Sequence, residues 1–135
     1  AEEPRKIVYA PEEIVNDTLR NFREGSYMHK KDGIYYYSYT NWKNPEIQAY
    51  YAMGSSPYGP FEWKGAMAPA PNDGAQDHHS IVDFKGQWYY FYHIAGHEFK
   101  PEGWNGYRRI ACYDKLYYNE DGTIQMIKHT KGKSN

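Results

Sequence analysis

Short runs of aromatic and β-branched residues alternate with polar positions along this chain, and glycine, proline, asparagine and aspartate punctuate them. Successive side chains of a strand point to opposite faces, so runs of this length and composition predict strands rather than helices. The pattern assigns strands to Gly33 to Thr40, Ile47 to Met53, Phe61 to Met67, Ser80 to Phe84, Gln87 to Ile94, Arg109 to Leu116 and Thr123 to His129. Asp32-Gly33, Lys85-Gly86 and Asp121-Gly122 supply a positive-φ glycine at hairpin reversals, and Ser55 to Pro60 reads as a turn carrying two prolines. Pro11 to Arg20 has room for a helical turn, but Pro11 and the Asn16-Asp17 pair favour a loop. The expected fold class is all-β.

Sliding the sequence against itself by 53 residues brings Gly33 onto Gly86, Tyr36, Tyr37 and Tyr39 onto Tyr89, Tyr90 and Tyr92, and Tyr35 onto Trp88. A strand, a turn and an aromatic strand thus occur twice, each followed by two further predicted strands, with a longer insertion over His97 to Gly106 in the second copy. Four antiparallel strands repeated at this period are the signature of propeller blades, and rings close with about 4 to 8 of them. The chain therefore reads as a β-propeller fragment of about two four-stranded blades. Residues 1–21 form a leader strand and loop, 22–70 the first blade and 75–130 the second. Two blades do not close a ring, so a longer protein, further copies of the chain (a homo-oligomer) or a complementary chain is expected to complete it.

Composition narrows the partners. With 135 residues, Tyr alone at 16, and a net charge of -1, the chain has the size of one domain and no basic footprint for nucleic acid. No apolar run is long enough to span a bilayer, so no membrane partner is expected. The opening Ala1-Glu2-Glu3-Pro4 lacks the basic and apolar character of an export leader. Cys112 is the single cysteine, which excludes both an internal disulfide and a cysteine-built zinc site within one chain.

Ligands of propellers gather where the inner strands emerge, which directs attention to the runs that open each repeat. These are Phe22 to Lys30 and Ala75 to Val82. The offset sets Glu24 level with Asp77, beside His78, so a carboxylate and imidazoles are expected at equivalent positions. As residues alone, a glutamate beside Arg23 also fits a solvated strand end, and an adjacent His pair also fits hydrogen-bonded structure.

The blocks Glu24 to Lys30, Tyr51 to Phe61, His78 to Val82, Trp88 to His93, and Arg108 to Asp114 leading to Tyr118 through Ile124 follow one another in order over most of residues 22–124. In order and spacing they resemble the C-terminal part of glycoside hydrolase family 43, five-bladed propeller enzymes that cleave β-xylosides, α-L-arabinofuranosides and arabinans. The resemblance implies that Glu24 is the general acid of an inverting hydrolysis, protonating the leaving glycosidic oxygen. It implies that His78 sits in the propeller channel and helps hold a hydrated calcium ion, with His79 on the opposite face of the strand. Arg109 is implied to project toward the sugar, where a planar guanidinium binds hydroxyls or orients a carboxylate. Tyr27 and Trp104 are candidate sugar-stacking aromatics, and His79 a further substrate-binding candidate. Ser26 and Gly25 depart from the proline and alanine found in many members.

No segment matches the family's first blade, which carries the second carboxylate, the base that activates water roughly 6.5–9.5 Å from the acid. The expectation is therefore a glycosidase on arabinose- or xylose-containing plant oligosaccharides that is active only when the rest of the ring is supplied. The alternative is a non-catalytic, self-assembling propeller fragment that binds carbohydrate. The resemblance also implies a periplasmic or extracellular bacterial location.

Overall fold

The computed structural model describes residues 14–15, 22, 24–40, 44–70, 78–94 and 109–130. Every regular element among them is a strand: β1 (Ile14–Val15), β2 (Tyr27–Lys31), β3 (Ile34–Thr40), β4 (Ile47–Gly54), β5 (Phe61–Pro69), β6 (His79–Phe84), β7 (Gln87–Ile94) and β8 (Ile110–Leu116). Strands β2 to β5 form an antiparallel meander, and β1 adds a short parallel pairing to β5, giving the spatial order β1-β5-β4-β3-β2. A second, three-stranded antiparallel sheet has the order β6-β7-β8.

Hairpins between paired strands form at two of the three predicted dipeptides, while at Asp121-Gly122 the glycine takes φ of 85° but only an isolated Tyr118–Ile124 bridge closes the turn. Asp32 and Gly33 adopt φ of 50° and 81°, and Lys85 and Gly86 adopt 53° and 80°, so each pair reverses the chain with two left-handed residues. A Cβ added at Gly33 or Gly86 would meet nothing within 4 Å, so glycine is required there by the backbone angle rather than by crowding.

Alternation along the strands sorts the aromatic residues to opposite faces. One face of the first sheet carries Tyr36, Ala49, Tyr51, Met67 and Ala68, and it packs on Ile81, Tyr90, Tyr92 and Leu116 of the second sheet to form the main core. The other face of the first sheet buries Tyr37, Tyr39, Tyr50, Ala52 and Phe61. Both orientations of the Tyr-rich β3 are thus used, which explains its nearly unbroken apolar sequence.

Two expectations change. Pro11 to Arg20, which reads as loop, contains the two-residue β1. Thr123 to His129, which reads as a strand, joins no ladder beyond an isolated bridge between Tyr118 and Ile124. Its backbone donors turn elsewhere: Ile124 N–H to the Tyr51 hydroxyl, Gln125 N–H to the Tyr117 carbonyl and Ile127 N–H to the Met67 carbonyl. The segment is a strap from the second sheet back onto the first, with Ile124 and Ile127 sealing the edge of the shared core.

Asp114 fastens the end of that strap. Its carboxylate, on β8 and buried, accepts hydrogen bonds from the Tyr92 hydroxyl at 2.8 Å and the Thr130 N–H at 3.0 Å. His129 lies beside it, with Nδ1 3.3 Å from the same carboxylate and Nε2 2.8 Å from the Pro69 carbonyl oxygen on β5. Burial, followed by the hydrogen bond and the charge of Asp114, pushes the Tyr92 hydroxyl far above its ordinary range, which keeps it a donor.

Candidate functional site

The topology brings the candidate residues to one end of the molecule. Strands β2, β4, β6 and β8 start at this end while β3, β5 and β7 finish there, so Glu24, Thr40, His78 and Arg109 all lie at strand termini on the same side. Glu24, His78 and Arg109 are exposed. The two-residue hairpins and the turn after Gly54 lie at the opposite end. An open cleft of about 530 Å³ there is lined by Asp32, Met53, Pro60, Glu62 and Lys64, away from the candidate residues.

Glu24 stands three residues before β2. Its backbone carbonyl accepts two hydrogen bonds from Thr40, one from the N–H at 2.9 Å and one from the hydroxyl at 2.7 Å. Gly25 follows with φ of 67°, a left-handed conformation that lets the chain turn into β2. Ser26, where the family often has proline, places its hydroxyl 2.9 Å from that of Tyr37. The two departures from the family pattern thus have local partners or geometry that suit them.

Tyr27 and His79 are drawn into the junction between the sheets. The Tyr27 hydroxyl donates to the Ile81 carbonyl at 3.0 Å, and its ring lies 5.9 Å from that of His79. His79 is buried against Tyr90, and its Nε2 is 2.7 Å from the Ser38 hydroxyl. The Nδ1 of His79 is buried with no hydrogen-bond partner among the described residues. Burial, reinforced by the neighbouring His78, lowers the His79 pKa to about 4. His79 is therefore neutral at ordinary pH.

His29, which sequence reasoning passed over, completes this junction. Its ring stacks on Tyr36 at 4.6 Å and its Nε2 lies 2.7 Å from the Tyr118 hydroxyl. Burial, then the proximity of His79, lowers its pKa to about 4 as well. His29 lies inside the Glu24 to Lys30 block, but nothing there singles it out; the packing of β2 against the second sheet brings it near His79. Trp104 lies outside the described residues, as do Arg23 and Asp77.

Calcium favours several oxygen ligands. Among the described residues no three His, Cys, Asp or Glu side chains come together, and the exposed imidazole of His78 does not form a calcium site by itself.

The chain belongs to the glycosyl hydrolases family 43, whose family model matches residues 1–124. It is 39% identical over 132 residues to a xylosidase/arabinosidase of Bacteroides ovatus, covering 95% of this chain and 38% of that protein. It is 35% identical to a β-xylosidase of Xylanibacter ruminicola, covering 95% and 39% respectively. The structure of RS223 β-xylosidase matches 97% of this chain and 40% of its own, with 36% identity and a TM-score of 0.73. A family 43 β-xylosidase/α-arabinofuranosidase from a compost metagenome, solved with xylotriose in a calcium-free form, matches 80% of this chain and 31% of its own, with 38% identity and a TM-score of 0.66. The two sheets are blades of a propeller, and the chain spans about two fifths of the length of these relatives.

Proposed function

We propose that this chain is the acid-bearing part of an inverting glycoside hydrolase acting on xylose- or arabinose-containing oligosaccharides. The observation that carries the reading is the gathering of Glu24, His78 and Arg109 at one end of the paired blades, with Glu24 anchored there through its carbonyl. In this reading the Glu24 carboxyl protonates the departing glycosidic oxygen. A base on another blade takes a proton from water as the water attacks the opposite face of the sugar. Arg109 binds sugar hydroxyls or steadies a carboxylate, as a forked cationic donor suits.

The remaining blades have a place to dock. Val82, Phe84, Phe91 and Tyr113 are exposed on the outer face of the second sheet, and the Tyr89, Phe91 and Tyr113 rings form a cluster with centroids 5.7–6.4 Å apart. By the 53-residue offset, Val82, Tyr89 and Phe91 correspond to His29, Tyr36 and Ser38, which face the second sheet from the first. The same position in the repeat is thus covered in one blade and open in the other, which supports completion of the ring by a further blade.

The test is turnover of xylo- and arabino-oligosaccharides by the complete propeller, with the anomeric form of the product followed by NMR. Glu24→Gln keeps the shape and removes the proton. It is expected to cut the rate about 10²–10⁴-fold, the usual worth of a positioned acid. A Glu24→Gln protein that cleaves xylobiose at the parental rate would overturn the assignment. A light-scattering mass near 15.9 kDa for the chain alone favours completion by a different polypeptide or by further sequence of a longer enzyme, whereas a discrete dimer or trimer favours a ring of identical copies.

A further inference from the structure

We infer that Thr40 is a positioning residue for the general acid, an inference that rests on Glu24 having that role. Thr40 ends β3 and is fully buried. A β-branched apolar residue would serve the strand equally well. A buried hydroxyl is costly unless it is paired, and the Thr40 hydroxyl is paired with the Glu24 carbonyl at 2.7 Å. The Thr40 N–H adds a second bond to the same oxygen at 2.9 Å.

The register makes this contact specific. Tyr27 pairs with Ser38, and regular continuation would set Gly25 opposite Thr40. The Glu24 carbonyl is bound instead, one residue out of step, and Gly25 takes up the extra residue at φ of 67°. Glu24 therefore sits outside the ladder, where its direction is not set by strand pairing. The two hydrogen bonds from Thr40 fix the peptide from which its side chain departs. A proton donor has to reach its acceptor within about 2.6–3.2 Å, and a displacement of about 1 Å costs on the order of 10²-fold. Removing the hydroxyl leaves the N–H bond, so a loss of about 10-fold or more is expected.

The experiment uses the complete propeller and compares xylobiose, whose leaving group needs protonation, with 4-nitrophenyl xyloside, whose leaving group does not. Thr40→Val is expected to lower kcat on xylobiose by about 10-fold or more at unchanged KM, with a much smaller effect on the nitrophenyl substrate. Thr40→Ser is expected to restore most of the loss. Parental kcat in Thr40→Val, or an equal loss on both substrates that Ser does not restore, overturns the role of Thr40. Glu24→Gln separates the two ideas. If it is inert on xylobiose while Thr40→Val is normal, only the positioning role fails; if it retains the rate, the acid assignment fails too. Amide exchange gives a readout free of turnover: Thr40→Val should speed exchange at Ser26 and residue 40 and leave Tyr36 and Tyr90 unchanged. Unchanged exchange at all four counts against the clamp.

Discussion

The two blades share one repeat and differ in what covers them. The first sheet has four antiparallel strands and buries aromatic rings on both faces. The second has three, buries only the face toward the first, and leaves Phe84 and Tyr113 each 61% exposed on the other. Where the first blade has β5, the second has the strap over residues 123–130, which bonds back to the first blade through Ile124, Ile127 and His129 and to its own side through Gln125 and Thr130. A repeated sequence thus gives a repeated hairpin, while the completeness of each blade depends on its neighbours. The junction between the blades is also where the polar groups are concentrated, through His29, His79, Ser38, Tyr27 and Tyr118.

The largest effect should come from emptying the shared face. Tyr90 is fully buried in the shared core, so Tyr90→Ala should destabilise the chain by about 3–5 kcal/mol in urea unfolding. Tyr113→Ala, one strand away on the exposed face, should stay within about 0.5 kcal/mol. A large Tyr113 effect in the chain alone would mean that this face is already covered in solution.

The next effect depends on pH. His29 and His79 have pKa values near 4 when folded against 6.5 when unfolded, so between these values the unfolded chain binds protons that the folded chain excludes. Their contribution is complete above pH 6.5 and is lost as pH falls toward 4. Each shift corresponds to about 3 kcal/mol across that window. Chemical denaturation at intervals between pH 7 and 4 should show the decline, and His79→Gln should flatten part of it. A slope that Gln leaves unchanged would remove His79 from the account.

The smallest effect tests the symmetry of the repeat. Gly33→Ala and Gly86→Ala each place a Cβ at φ near 80° in otherwise open space. Each should cost about 1 kcal/mol by thermal unfolding, and by similar amounts. Strongly unequal costs would show that the two hairpins carry different loads.

The hairpins and strands β3 to β8 were readable because their information is local: a dipeptide that tolerates positive φ, flanked by residues suited to a pleated surface. The same rule misleads at Thr123 to His129. Its alternation is that of a strand, but the donors at Ile124 and Ile127 are taken by Tyr51 and Met67, far away in sequence. Glu24, His78 and Arg109 could be picked out from ordered sequence blocks, and the topology sets them at a common end. His29 and Thr40 could not be picked out. Their partners lie 89 and 16 residues distant, at Tyr118 and Glu24, and become visible only with strand register and sheet packing. Tyr27 shows the converse: an aromatic that suits sugar stacking has its hydroxyl committed to the Ile81 carbonyl.

The strap also imposes an order on synthesis. A ribosome working at about 5–20 residues per second releases the strands of the first blade several seconds before Thr130 emerges. Through that interval Tyr36 and Tyr51 already have their hairpin neighbours, but lack the Gly122 carbonyl and the Ile124 N–H that their hydroxyls bind in the finished molecule. The nascent first blade therefore presents a bare tyrosine surface to whatever waits at the exit tunnel, and residues translated well after it, Gly122 and Ile124, are the ones that withdraw it.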